Sequence, residues 1–457
     1  MLILRMMPRK ICALLLALLA LPTGCERRES ASPPGGPVVI QYWEKWTGFE
    51  ADAMREIVED FNASQSRIRV NFLSVSGLDT KLMLATAGGN PPDVSGLYAY
   101  LAPIYAENNA LTPLDGLMEG SGLGEETYIP AVWQSCRHRG FTWALPTTPA
   151  TLALYWNKKL FLEAGLSAPP KTLAELEEMN DKLLRRDSKG RILQLGHSPQ
   201  EPGWWNALWV GWFGGYIQEP GGALGLDSAP MRATFDWLRT YPERFGGDDL
   251  SKLRNGFGNF ASPQNPFFTG RIAMTMQGPW LHNFIGQYAP EGFEWGVAPF
   301  PSADGNLAEP VTLLEADVLV IPKGAAHPRE AFEFIQYVNS QAALEKLCLK
   351  QQKFSPRRVV SEGFYRAHAN PDIRTFYDLA ASPRARVVPQ LRSWMECRND
   401  LNSAVDSVML QGAAAKVSLP ALQKKQTRVH ERDQARWERV AEKRLAEWRA
   451  LVEETRP

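Results

Sequence analysis

Three short stretches set indoles among groups able to hold a polar ligand. Glu44, Lys45 and Thr47 flank Trp43 and Trp46; Glu201-Pro202-Gly203 leads into Trp204 and Trp205; Gly278-Pro279 precedes Trp280. An indole offers a large, flat, electron-rich apolar face, and charged neighbours satisfy polar groups at the edge of whatever stacks there. The chain carries 15 tryptophans, more than core filling needs, so some are expected to line a ligand site. Two further acids, Glu315 and Asp317, stand two residues apart in Leu314-Glu315-Ala316-Asp317-Val318. Signatures of other chemistries are missing. The six histidines are scattered and neither His-Glu-x-x-His nor Cys-x-x-Cys occurs, so no metal is expected. Phosphate-cradling glycine loops and Gly-x-Ser-x-Gly are absent as well, which argues against nucleotide-driven or serine-hydrolase chemistry and leaves no cofactor to expect.

The elements that must position these residues alternate. Val38–Tyr42 is a short apolar run, typical of a buried parallel strand, and Ala51–Asn62 places Met54, Ile57, Val58 and Phe61 on one helical face. Ile68, Val70 and Phe72 alternate with polar residues as a strand does; a helix is expected near Asp79–Ala87, and Val94 opens another strand. Strand, helix, strand, helix with short loops predicts an α/β sheet, whose ligands bind beyond the carboxyl ends of its strands. Those ends are the aromatic loops after Tyr42 and after Val94, the second containing Tyr98 and Tyr100. With 457 residues, 44% of them hydrophobic, the chain suits two or three packed domains. Fifty basic residues balance fifty acidic ones, so no basic excess points to nucleic acid.

Several motifs then fall in a familiar order. Thr86–Val94 and Asn108–Asp115 come first. Leu145-Pro146, Leu154–Phe161 and Ala164-Gly165-Leu166 follow, and Pro169–Leu176 continues them. Phe268–Met274 then runs into Gly278-Pro279-Trp280, ahead of Ala331–Ile335 and Phe354-Ser355-Pro356. Across about 38–360 this series resembles bacterial extracellular solute-binding proteins, the binding subunits of ABC importers, and most of all their maltose-binding type. The resemblance implies a two-lobed α/β periplasmic-binding-protein fold of type II, with discontinuous lobes joined by hinge crossings. It implies a sugar or polyol ligand captured by closure, delivery to ABC permease subunits, and no catalysis. Sugar chemistry agrees with the residue types, since a pyranose face presents C–H groups to an indole while its hydroxyls need polar partners.

On this reading the ligand-contacting residues are expected to be Trp43, Lys45, Trp46, Tyr98, Thr147, Glu201, Trp204, Trp280, Glu315 and Asp317. In the resembling family the aromatic at about Trp204 packs against ligand, and the Trp that Trp280 matches stacks on a sugar ring. Trp205, Trp209 and Trp212 share a helical face and are expected mainly in the core. Two departures put maltose itself in question. Ala150 stands where relatives carry an acid, and Glu315 and Asp317 occupy a loop where relatives often have Gly-Gly. A sensor-kinase ligand component and a surface glycoside hydrolase are the alternatives, the latter needing two carboxylates facing each other across a scissile bond.

The chain ends add address and architecture. Arg5, Arg9 and Lys10 precede the apolar run Ile11–Leu21, which is too short for the roughly 17–25 residues of a membrane span and suits a secretory leader. Leu21-Pro22-Thr23-Gly24-Cys25 resembles a lipoprotein signal. Residues 1–24 are therefore expected to be removed and Cys25 lipidated, with 25–37 as a flexible tether outside the cytoplasmic membrane. The lobes are expected to comprise 38–146 plus 302–342 and 147–301 plus 343–457, crossing at Pro146-Thr147-Thr148 and Pro299-Phe300-Pro301. Cys136, Cys348 and Cys397 allow one disulfide of undetermined pairing. Trp437, Ala441, Leu445, Trp448 and Val452 form an apolar stripe on a charged terminal helix, expected to dock on its own lobe or to bind a partner.

Overall fold

The structure, a computed structural model, describes residues 36–457. The leader, Cys25 and nearly all of the tether lie outside the described residues. The strands β1 (Val38–Glu44), β2 (Ile68–Ser74), β3 (Val94–Tyr98), β4 (Arg137–His138), β5 (Phe141–Thr142), β6 (Leu145–Thr151) and β7 (Ala153–Asn157) come first. They are followed by β8 (Arg185–Arg186), β9 (Ile192–His197), β10 (Ile272–Gln277), β11 (Trp295–Ala298), β12 (Thr312–Val320) and β13 (Ala385–Val387). One mixed sheet has the order β13-β12-β3-β1-β2, with β6 also pairing with β12. A second has the order β11-β7-β10-β9-β8, and β4 and β5 form a separate two-stranded hairpin. Each of the two larger sheets forms the heart of one lobe.

The first strands and helices follow the sequence pattern. Ile40 and Tyr42 of β1 are buried, and the helix Gly48–Ser64 buries the expected face of Met54, Ile57, Val58 and Phe61. Phe61 packs edge-on against Phe334 of the helix Pro328–Val338, with ring centroids 5.3 Å apart. In the second lobe Trp209 and Trp212, 2% and 1% exposed, join Phe300 and Trp237 in an aromatic core.

The chain crosses between sheets twice near the middle of the molecule. β6 lies wholly on β12 of the first sheet and β7 wholly on β10 and β11 of the second, so the change falls at Leu152. That is a few residues later than Pro146–Thr148, because the β6–β12 ladder continues through Thr151↔Leu314. The return runs between β11 and β12 and contains Pro299-Phe300-Pro301.

The expected allocation of 343–457 to the second lobe does not hold throughout. β13 pairs in parallel with β12 and so extends the first sheet. The helix Gln341–Gln351 sends Lys346 and Lys350 to Asp60 and Glu56 of the first lobe. Only the helix Trp394–Gln411 buries its apolar face wholly in the second-lobe core. The terminal helix, Ala415–Thr455, divides between the two. Leu419 and Leu422 join the second-lobe core, whereas Trp448 lies 4.6 Å from Trp143 beside the β4–β5 hairpin. Gly116 permits that docking, since a Cβ there would stand 2.1 Å from the Val452 carbonyl oxygen. Cys136, Cys348 and Cys397 are buried and free, so no pair among them is bridged.

Candidate functional site

Between the lobes lies a cleft of about 680 Å³, inside the roughly 300–1,000 Å³ range of small-molecule sites. Its walls are aromatic. Trp204, Tyr98 and Phe49, exposed by 46%, 40% and 37%, are the exposed large aromatic side chains among the described residues, and all three line it. Burying such faces is favourable, so their exposure within one concavity marks the place where something else covers them. Trp205 sits between Trp204 and Trp280, with centroids 6.2 and 6.3 Å away. Phe260 links Trp204 to Phe284, which reaches Phe49 of the other lobe at 6.4 Å. Tyr98 stacks on Tyr100 at 5.6 Å.

Local sequence explains how the indoles are aimed. Trp280 leaves β10 through Gly278-Pro279 and directly precedes the helix Leu281–Tyr288; its Nε1 donates to Gln277 Oε1 at 3.1 Å. Its ring folds back over Gly278, where a Cβ would stand 2.2 Å from Cζ3, so a larger residue there would displace the indole.

The polar wall is a buried charge network. Lys45 Nζ lies 2.9 Å from Asp317 Oδ1 and 3.3 Å from Glu44 Oε1, and Lys353 Nζ lies 3.0 Å from Asp317 Oδ2 and 2.8 Å from Glu50 Oε1. Tyr42 Oη donates to Glu44 Oε2 at 2.5 Å, and Glu44 fits beneath β3 only because residue 96 is glycine. Burial would raise the Asp317 carboxyl, but Lys353 and Lys45 outweigh it and hold its pKa below the ordinary value. Burial likewise opposes the charge on both lysines, and their acidic neighbours lift them above the usual range. Both lysines also lie over the Trp46 ring, at 4.9 and 5.4 Å. Glu315 differs: burial and then Asp317 push it up to about 7, with Arg398 pulling the other way.

The structure brings Trp46, Tyr98, Trp204, Trp280, Glu315 and Asp317 together on the cleft, with Lys45 immediately behind Asp317. It does not bring the other three expected residues to the cleft surface. Trp43, the ladder partner of Ser95 on β3, is partly buried and packs against an apolar core. Thr147 turns its hydroxyl to the Asp317 carbonyl at 3.0 Å, leaving Thr148 to face the cleft. Glu201, two residues before the cleft-lining Gly203, is not itself part of the lining; burial, opposed by Arg254, lifts its carboxyl to about 7. The acid missing at Ala150 is supplied across the ladder, because Ala150 is the direct partner of Glu315.

Sequence reasoning missed Arg398 and Asn402, which line the cleft from the helix Trp394–Gln411. Arg398 Nε, Asn402 Oδ1 and Trp205 Nε1 are all buried without a protein partner, so a ligand reaching them gains hydrogen bonds the free protein lacks. Their spacing of four residues was the only available signal, and it is common to any helix face. Glu50, Glu315 and Asp317 are the carboxylates that line the cleft. Glu315 and Asp317 alternate along one strand and one wall, so they do not face each other across a bond, and both Asp317 oxygens are held by lysines.

The profile of bacterial extracellular solute-binding proteins matches residues 50–345. A maltotriose-binding protein of Pyrococcus abyssi (strain GE5 / Orsay) is 23% identical over 320 residues, covering 70% of this chain and 66% of its own. A solved structure with mannotriose bound has a TM-score of 0.71 at 25% identity, covering 85% of this chain and 99% of its own. The sugar-binding protein MalE from Xanthomonas citri has a TM-score of 0.73 at 20% identity, covering 88% and 99%, which confirms the two-lobed fold. With the profile spanning most of both lobes, the chain belongs to the bacterial extracellular solute-binding protein family, the non-catalytic solute-capturing components of ABC importers.

Proposed function

We infer that the cleft captures a sugar, either an oligosaccharide or a related polyhydroxylated ligand, and that the lobes close over it before delivery to the permease. The observation that carries this reading is the set of exposed aromatic faces lining one interlobe cleft beside a wall of charged hydrogen-bonding groups. Indoles at Trp204 and Trp280 supply stacking platforms, Trp46 lies beneath the lysines at the cleft's edge, and Glu315, Asp317, Arg398 and Asn402 supply hydroxyl partners. Relatives that bind maltotriose or hold mannotriose support a ligand of several rings. The crossings at Leu152, at 299–311 and at 388–393, between β13 and the helix Trp394–Gln411, form the hinge, which lets affinity come from closure.

A thermal-shift screen with maltotriose, mannotriose, their disaccharides and polyols tests the ligand class, because a ligand that binds only the native state raises the melting temperature. At least one saccharide is expected to raise it, and no response to any saccharide or polyol would refute the reading. We place the protein on the membrane through lipid at Cys25, consistent with the leader sequence. Cys25→Ser is expected to release it into the soluble fraction with ligand affinity unchanged.

A further inference from the structure

A second cavity of about 530 Å³ shares no lining residue with the cleft. It lies beside the start of β12, between β13 and the stretch containing Trp212 and Tyr216. Arg386 of β13 enters it with its guanidinium 4.3 Å over the Tyr216 ring. Arg386 Nε is buried with no hydrogen-bond partner, and no carboxylate of the described residues pairs with this side chain. Arg384, two residues earlier, shows the contrast: it holds Asp304 Oδ2 at 2.9 Å. Glu219 is the one acid in the lining, and its Oε1 turns toward Gly225, 2.6 Å from where a Cβ there would stand.

A partly buried cation without a counter-charge is costly, and a guanidinium stacked on a phenol ring keeps its forked donors free for a planar or tetrahedral oxyanion. We propose that this cavity is a second ligand site, taking a small organic anion whose carboxylate or phosphate pairs with Arg386 and whose apolar body lies against Tyr216. Which ligand the cleft takes does not bear on this assignment. Gln134, from the first-lobe side, offers its amide to a remaining oxygen, whereas the Gln390 amide already donates to the Ser135 carbonyl at 3.1 Å.

The test is calorimetric titration of the full chain with phenyl phosphate, benzoate and, as the neutral control, phenol. Saturable binding of either anion, with none of phenol, is expected; whichever anion binds more tightly identifies the preferred group. Arg386→Gln is expected to weaken that binding at least tenfold, and Arg386→Lys to restore it only in part, because lysine keeps the charge and loses the fork. Tyr216→Leu provides an independent weakening should Arg386→Gln fail to fold. Trp280→Ala is expected to leave anion binding intact. Absence of saturable binding, wild-type affinity in both the Arg386→Gln and Tyr216→Leu proteins, or loss of anion binding in Trp280→Ala would overturn the proposal.

Discussion

At the scale of single residues, Trp280 is where stacking and structural roles can be separated by experiment. It is half-buried, stands on Gly278 and shares the cleft with Trp204 and Trp205. Trp280→Ala is expected to cost ligand binding about 2–4 kcal/mol, roughly thirty- to a thousandfold in affinity. The unliganded protein is expected to lose clearly less than the roughly 3–5 kcal/mol typical of a fully buried Trp truncation. Calorimetric titration and denaturant unfolding of the same variant check both values. Glu315 and Glu201 give a pH signature. Burial raises each from the ordinary 4.5 to about 7, so the native state binds these protons more tightly than the unfolded chain does. Their contribution to stability is therefore present below about pH 4.5 and is lost as pH rises through 7. Unfolding at pH 5 and pH 8 is expected to show a larger loss of stability in the wild type than in Glu315→Gln/Glu201→Gln. Equal losses would mean that neither carboxyl is raised. Two of the misplaced residues, Trp43 and Thr147, lie on strands, where adjacent positions face opposite ways. Thr147 stands one position from Thr148, which faces the cleft, and Trp43 lies on β1 three positions before Trp46, which follows the strand's end; sequence alone did not set either phase.

At the scale of elements, the β1–β3 region was legible because local pattern and tertiary burial agree. The stripe Met54, Ile57, Val58 and Phe61 is both a helical face and the buried face. The chain after residue 343 was less legible, because its partners are distant in sequence. β13 is three residues long and is defined by Thr312, Leu313 and Leu314, more than seventy positions earlier. The terminal helix shows both sides. Its stripe was readable, yet nothing in the stripe says that Trp448 meets Trp143 while Leu419 enters the other core. Trp448 is fully buried, so Trp448→Ala is expected to destabilise the protein by about 3–5 kcal/mol. A loss below about 1 kcal/mol in denaturant unfolding would show that the last turns of this helix are not docked on the first lobe.

At the scale of the whole molecule, two lobes meet at a cleft whose aromatic walls come from both sides, Phe49 and Tyr98 from one and Trp204 and Trp280 from the other. A ligand gripped by both walls favours the closed arrangement by its differential contacts, and that difference sets how far the population shifts. The terminal helix is packed on both cores, so the proposed closure requires it to tilt or slide. The most direct test of capture by closure is small-angle scattering of the full chain, alone and saturated with the saccharide that gives the largest thermal shift. The radius of gyration is expected to fall on saturation, and the fall should disappear in Trp280→Ala at the same ligand concentration. A scattering curve unchanged by saturating ligand would contradict the account.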